Sequence, residues 1–456
     1  MAICMTAMTS ELYSHSRSDP EYFLPSHTRV EADLCAVPTL PLRKLGQFSC
    51  SAFYPAATHL YASDGVPFLR CVDIVDFPLI SPDQPFARLP ASFADEHSTI
   101  RSLHAGDVVI SKVGTPCYAA LLAEDMPPSA MTRTVLGMSQ IDQSVIDPYY
   151  LIAFLRSRHG FDQLMREREL TIQYQLTLER TRKIKVYVPE RQVQEIVGDM
   201  VRRYYRALRA SVAASSSARH MIEAALGLDK LALHKPVGYT AQLSEVEESR
   251  RLDAEHYFPA FRAFRGGLPA GLALSPLSGH LDFCQRGRQP AYVTTGLPVI
   301  NSKHVQQNRV IEEDNRFALA NPDANLQIRF GDTLLNGTGR GTLGRAAPYL
   351  GDKLAVPDNH VTIIRSASLD PVFLSLYLNS AAGQMQVEMH QRGTSGQLEL
   401  YPSDIRRFLV WAAPTGFQRE VRDLHDKAAM AERESRRLLE EAKTRVEQLI
   451  EAAVKP

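Results

Sequence analysis

Glu190-Arg-Gln-Val-Gln-Glu-Ile-Val-Gly-Asp-Met200 opens a run that continues to Leu226 and decides the fold. Pro189 closes the β-like stretch Lys185-Val-Tyr-Val188 and leads into it. Proline suits the first turn of a helix, where its missing N–H costs nothing. Apolar or small residues then recur at Val193, Val197, Met200, Tyr204, Leu208, Val212, Ser215, Ala218, Ile222 and Ala225. Steps of three and four mark one stripe along a helix. At roughly 1.5 Å per residue the run spans about 55 Å, far longer than an ordinary globular helix. The design returns after Pro414, through Phe417, Val421, Leu424, Ala428, Ala431, Ser435, Leu438, Ala442, Val446, Leu449 and Ala453. Apolar stripes of this length cannot remain in water, so the two helices are expected to pack against each other.

Each helix follows a domain-sized stretch of β-like text. The expected divisions are a first module over 1–189, a long helix over 190–228, a linker over 229–250, a second module over 251–414 and a last helix over 415–456. A chain of 456 residues accommodates two or three domains. Its apolar content, 45%, is that of a soluble globular protein, and no apolar run reaches membrane-spanning length. The start, Met1-Ala-Ile-Cys-Met-Thr, has no charged region followed by an apolar core, so no signal peptide is expected. Cys4, Cys35, Cys50, Cys71, Cys117 and Cys284 form no CxxC pair, and scattered thiols fit a reducing cytoplasm. The formal net charge is zero, so any nucleic-acid binding must come from local patches.

The text repeats. Arg251-Leu-Asp-Ala-Glu-His-Tyr-Phe258 echoes the stretch from Arg17 to Phe23, and Gly296-Leu-Pro-Val-Ile300 echoes Gly65-Val-Pro-Phe-Leu69. Gly331-Asp-Thr-Leu-Leu-Asn-Gly-Thr-Gly339 echoes Gly106 to Thr115, and Asp370-Pro-Val-Phe-Leu374 echoes Asp147 to Leu151. Gln397-Leu-Glu-Leu400 echoes Gln175-Leu-Thr-Leu178, and Pro414 with Gln418 echoes Pro189 with Gln192. The offset narrows from 234 at Arg17 to 222 at Gln175 and returns to 226 at Gln192. Ordered matches at a near-constant offset signal a tandem duplication.

With the Gly-Asp strands at Gly106 and Gly331, the opening at Arg251, Asn359-His-Val-Thr-Ile-Ile-Arg365 and the Pro189 helix entry, the chain resembles the specificity subunit of type I restriction-modification systems. The resemblance covers nearly the whole chain and rests on order and duplication. It implies an α+β fold of two tandem mixed α/β target-recognition domains separated by two long helices in an antiparallel coiled coil. It also implies that each module reads one half of a split site on double-stranded DNA, and that the helices space the modules and dock two methyltransferase subunits. A restriction or translocase subunit is a further possible partner in such systems. No cofactor is expected on this chain; S-adenosylmethionine belongs to the methyltransferase partner. The first module departs from the pattern: Lys112-Val-Gly-Thr-Pro-Cys117 lacks the fuller Gly-Thr-Gly-x-Gly-Thr of the second, and Met131 to Gly137 has no Asn-His match.

Gly337-Thr-Gly-Arg-Gly-Thr-Leu-Gly344 lacks the Lys-Ser/Thr of a phosphate-binding loop and reads as a turn between strands, with Thr338, Arg340 and Arg345 near DNA phosphates. Asn321-Pro-Asp-Ala324 lacks the aromatic needed to stack a flipped base and reads as a turn. Asp107 with Lys112 does not make a nuclease metal site. Basic, amide-rich loops carry the candidate contacts. In the second module they are Arg286, Arg288 and Gln289; Asn301, Ser302, Lys303, His304, Gln306, Gln307 and Asn308; Asn359 and His360; and Arg392, Thr394 and Gln397. In the first they are Lys112, Arg133, Arg166, Arg168, Gln173, Tyr174 and Gln175. Arg and Lys pair with guanine edges, and Asn and Gln with adenine edges. A solvated loop is the plain alternative for each residue singly. The sequence thus favours a non-catalytic DNA-recognition subunit with no metal site. A stand-alone nuclease or methyltransferase, or a coiled-coil protein scaffold, is the competing reading.

Overall fold

The computed structural model describes residues 17–52, 60–170, 173–231, 237–320, 323–393 and 398–454. Thr394 and Gln397, and the first two residues of the Asn321 turn, lie outside the described residues. The chain divides into two compact units, residues 1–210 with 431–456 and residues 211–430. Each long helix contributes to both.

The first unit holds a five-stranded sheet in the order Gln47–Ser49, Val135–Ser139, Val108–Ser111, Ala119–Leu122, Leu79–Ile80, whose final pair is parallel. A four-stranded sheet of Arg88–Leu89, Val66–Leu69, Ser129–Met131 and Arg101–Leu103 accompanies it, with a parallel middle pair. The Gly-Asp signal opens the central strand as read. Gly106 sits at φ +85°, where a side chain would be strained, and the Asp107 carboxylate accepts the His104 N–H at 2.8 Å. Helix α1 (Pro148–Arg156) is started by Asp147, whose side chain accepts the Tyr149 and Tyr150 N–H groups at 2.8 and 3.3 Å. Ser157 ends it, and α2 (Arg158–Arg166) turns back across it. The turn is close because position 160 is glycine: a Cβ there would lie 2.2 Å from the Phe154 carbonyl oxygen. Lys185–Tyr187 forms the expected strand and pairs with Thr39–Pro41 before α3 (Arg191–Ala225) begins.

The second unit repeats this plan. One sheet runs Phe283–Arg286, Val361–Arg365, Thr333–Asn336, Ala346–Pro348. The other runs Tyr292–Val293, Phe317–Ala318, Leu297–Ile300, Val356–Pro357, and its last pair is again parallel. Gly331 has φ +91°, and Asp332 accepts the Arg329 N–H at 2.8 Å. Asp370 caps α4 (Pro371–Asn379) through the Val372 and Phe373 N–H groups. Helix α5 (Ala381–His390) folds back over Gly383, whose Cβ would meet the Leu378 carbonyl oxygen at 2.2 Å. Within the expected linker, Leu243–Ser249 is a short helix opened by a capping box of Gln242 and Glu245. The last helix, α6, covers Thr415–Val454.

Both long helices form where the stripes place them, and they pack as the fold class requires. In the first unit Val197, Val201 and Tyr204 of α3 share a core with Leu438, Ala442, Val446 and Ile450 of α6. In the second unit Ala218 and Ile222 of α3 share a core with Val421 of α6. The start of one helix meets the end of the other in both units, which is antiparallel packing. Each fully buried Val, Leu or Ile among them contributes roughly 1.5–3 kcal/mol. The stripe differs from its reading in four places: Gln194 rather than Val193 is fully buried, Val212 is 42% exposed, and Ser215 and Ala453 are exposed.

Gln194 explains the first difference. Its side-chain oxygen accepts the Asp147 N–H at 2.9 Å, and its nitrogen donates to the Pro189 and Val145 carbonyls at 2.9 and 3.2 Å. Gln418 does the same work in the second unit, accepting from the Asp370 N–H at 2.7 Å and donating to the Ala413 carbonyl at 2.8 Å. Arg202 and Arg422 then pair with Asp147 and Asp370 at 2.7 and 2.6 Å. The duplication is therefore physical, but the partner of Gln418 is Gln194, not the Gln192 that the text matched. A second match also shifts. Leu176 donates to the Lys112 carbonyl as Leu400 donates to the Gly337 carbonyl, both at 2.9 Å. Gln175 therefore corresponds to Glu399, two positions beyond the Gln397 of the text match.

Candidate nucleic-acid interface

In the second unit the candidates gather into two groups. The first surrounds the strand-end segment from Leu398 to Tyr401. Thr338 and Arg392 both form bridges with Glu399, and Arg392 exchanges both backbone hydrogen bonds with it at 2.8 Å. The Arg286 guanidinium donates to the Gly337 and Leu400 carbonyls at 2.9 Å each, and lies 3.6 Å from the Glu399 carboxylate. It also stands 5.2 Å from the ring centre of Tyr401. The Thr338 hydroxyl is 2.7 Å from His360 Nδ1. Arg392 is held from behind: its Nε and Nη2 donate to the two oxygens of Asp404 at 3.1 and 2.8 Å. The Asp404 side chain is 1% exposed and that of Arg392 50%. Tyr401, 40% exposed, lies between the two arginines, with Arg392 at 5.9 Å.

The second group lies on the turn after Ile300. Asn301 Oδ1 accepts the Lys303 N–H at 3.1 Å, and Asn336 Nδ2 donates to the Ser302 and Val305 carbonyls at 3.0 and 3.1 Å. Arg345 donates to Gln306 at 3.0 Å. Asn308 accepts from Asn379 at 2.6 Å. His304 is buried, and its Nδ1 accepts the Asn301 N–H at 3.1 Å. Burial moves its pKa down, so it stays neutral and holds the turn. Lys303, Gln307, Arg288, Gln289 and Arg340 are exposed; Asn359 is half-buried.

In the first unit the structure separates the candidates. Arg166 is buried, donating to the Tyr22 carbonyl at 3.0 Å and pairing with Glu31 at 2.6 Å, with its guanidinium 4.1 Å from the Tyr22 ring centre. A side chain so engaged fastens α2 to the module's opening and has no reach into a groove. This corrects the expectation for Arg166, as burial does for His304. The basic, amide-rich segment after it contains a two-stranded hairpin, Glu169–Leu170 with Tyr174–Gln175. Arg168 stacks 4.2 Å from the Tyr174 ring, whose hydroxyl donates to Glu21. Lys112 reaches Cys50 Sγ at 4.0 Å. Arg133 and Gln173 are exposed.

Sequence reading missed the anions here. The carboxylates of Glu399 and Asp404 organise the second unit's surface, and Glu169 with Arg180 organises the first: Arg180 pairs with Glu169 at 2.5 Å and with Glu167 at 2.9 Å. A search for donors alone passes over carboxylates that accept from them. Among the described residues no group of three or more His, Cys, Asp or Glu is placed to hold a metal, and no helix is long and apolar enough to cross a membrane.

No family model matches the chain, and no curated protein matches it significantly. Solved structures do. Their subject is the type I restriction-modification system. The S subunit of the system from M. genitalium is 10% identical, with a TM-score of 0.45, over 90% of this chain and 95% of that one. The HsdS subunit from Thermoanaerobacter tengcongensis is 14% identical, with a TM-score of 0.27, over 92% and 95%. A chain from a study of complex assembly and conformational transition of the type I system is 14% identical, with a TM-score of 0.33, over 92% and 98%.

Proposed function

We propose that this chain is the DNA sequence-specificity subunit of a type I-like methylation or restriction complex. The observation that carries the reading is the repetition of one anchoring device. In both units an Asp-capped helix is tied to a long helix by a glutamine and an arginine, Gln194 with Arg202 and Gln418 with Arg422. Two modules of one design, fixed to two helices, suit a molecule that recognises two short sequences at a set separation. The loops differ: the second unit presents Arg286, Thr338, His360 and Arg392, and the first presents Lys112, Arg168 and Tyr174. Each module reads its own half-site, so the whole site need not be palindromic. The two methyltransferase subunits that bind S-adenosylmethionine dock on this chain, which itself contributes recognition and no chemistry.

The test is to isolate the tagged full chain from its own cells with the subunits that co-purify. The complex should methylate DNA in the presence of S-adenosylmethionine, and sequencing of the modified bases should give two short motifs around an unread spacer. Methyl transfer by the chain in isolation, or a single continuous palindrome, would refute the proposal.

A further inference from the structure

The hairpins of the two units carry an inverted charge pair. Glu169 stands opposite Gln175 in the first hairpin, and Arg392 stands opposite Glu399 in the second. The next residue in each unit, Leu176 or Leu400, donates to the end of the glycine-flanked strand, so the register is shared. Four-residue helices follow, Leu178–Thr181 and Pro402–Ile405. Arg180 and Asp404 are each the third residue of that helix. Each reaches back to the hairpin: Arg180 to Glu169, and Asp404 to Arg392. One architectural position therefore holds an anion braced by a cation in the first unit, and a cation braced by an anion in the second.

The bracing has a consequence for recognition. Arg392 spends Nε and one Nη2 hydrogen on Asp404, so its planar fork is fixed in orientation, and half of the side chain stays in solvent. A fixed guanidinium loses little rotamer entropy on binding and matches two acceptors side by side. In the major groove that pattern is guanine O6 and N7. Glu169 is held by Arg180 with 35% of its side chain exposed. A carboxylate can only accept while ionised; of the two donors in the major groove, adenine N6 stands beside the acceptor N7, which repels a carboxylate, so the cytosine N4 amino group is the edge that suits it.

Resting on the specificity-subunit reading above, we propose that Glu169 and Arg392 are the specificity-determining residues at one equivalent position of the two readers. Arg392 selects guanine in one half-site, and Glu169 selects cytosine in the other. Arg180 and Asp404 are positioning residues that act through them.

The experiment selects a randomised double-stranded DNA library on the tagged full chain with its co-purifying subunits. It compares the native protein with R392Q and E169Q. The native protein should enrich a bipartite site. R392Q should lower guanine preference about 10-fold or more at one position of one half-site and leave the other half untouched. E169Q should do the same to cytosine in the opposite half. R392K, which keeps the charge and loses the fork, should also lose guanine preference, so a general loss of stability in R392Q does not decide the matter. D404N should weaken the same guanine preference with Arg392 intact. If the native protein selects a bipartite site and R392K and E169Q select it unchanged, the inference falls and the specificity reading stands. If the native protein selects no sequence, both fall.

Discussion

The buried side chain of Gln194 accepts the backbone N–H of Asp147 at 2.9 Å, joining the capping residue of α1 to the long helix α3. Gln194→Ala leaves that N–H and the Pro189 and Val145 carbonyls without their partner inside the module. The expected loss is about 1–3 kcal/mol of stability. Gln418→Ala should act alike in the second unit. Urea unfolding of the full chain measures both; midpoints equal to the native value would contradict the role.

Gly160 and Gly383 let a second helix turn back over the first. Adding a methyl group puts it 2.2 Å from the Phe154 or Leu378 carbonyl oxygen, a distance that backbone must move to relieve. Gly160→Ala and Gly383→Ala should each cost about 1–3 kcal/mol, the usual range for overpacking. Gly238→Ala, with open space around the added atom, serves as the control in the same melting series.

His390 gives the second unit a pH dependence. Burial pushes its pKa down to about 4, Asp404 opposes the shift, and His256, Arg251 and Arg407 add to it. The unfolded chain then binds more protons than the folded one between about pH 4 and the ordinary histidine value of 6.5. Stability is therefore lost as pH falls through that window. Melting temperatures at constant ionic strength should show the fall, and His390→Gln should flatten it. An unchanged slope in the variant would show that other groups carry the effect.

Arg340 and Arg288 are exposed at the glycine-rich turn and beyond the strand Phe283–Arg286. They suit phosphate contacts, which position the protein and carry no sequence information. Arg340→Ala should weaken binding to all sequences alike and lower the slope of affinity against salt by about 1. A change in the preferred sequence would assign it to base reading instead.

The long helices and the duplication were legible because both rest on patterns that survive divergence. A stripe at three- and four-residue steps and an Asp-Pro helix start each follow from local physics. What the text hid was register. Gln192 and Gln194 differ only in which face of α3 they occupy, and Val145, Asp147 and Pro189, which select Gln194, come from elsewhere in the chain. Glu399 was hidden for a similar reason. The tempting identity was Gln175 with Gln397, while backbone pairing aligns Gln175 with Glu399. At the candidate interface, counting donors found Arg286 and Arg392 but not Asp404, the buried carboxylate that orients one of them. It counted Arg166 and His304 as reachable although both are enclosed. Enclosure depends on contacts distant in sequence, such as Arg166 with Glu31, and no local pattern announces it.

Leu438, Ala442, Val446 and Ile450 belong to the same core as Leu34, Leu121 and Phe154. Those four residues leave the ribosome long after the rest of that core has been made. During synthesis the earlier part waits with an open apolar side, while the second unit, Ser211–Met430, can gather its own segments in full. Chains usually complete their domains from the N-terminus onward. Here the order is reversed: the half translated first is the half finished last, and a stop codon anywhere in α6 before Leu438 would damage the opposite end of the gene product.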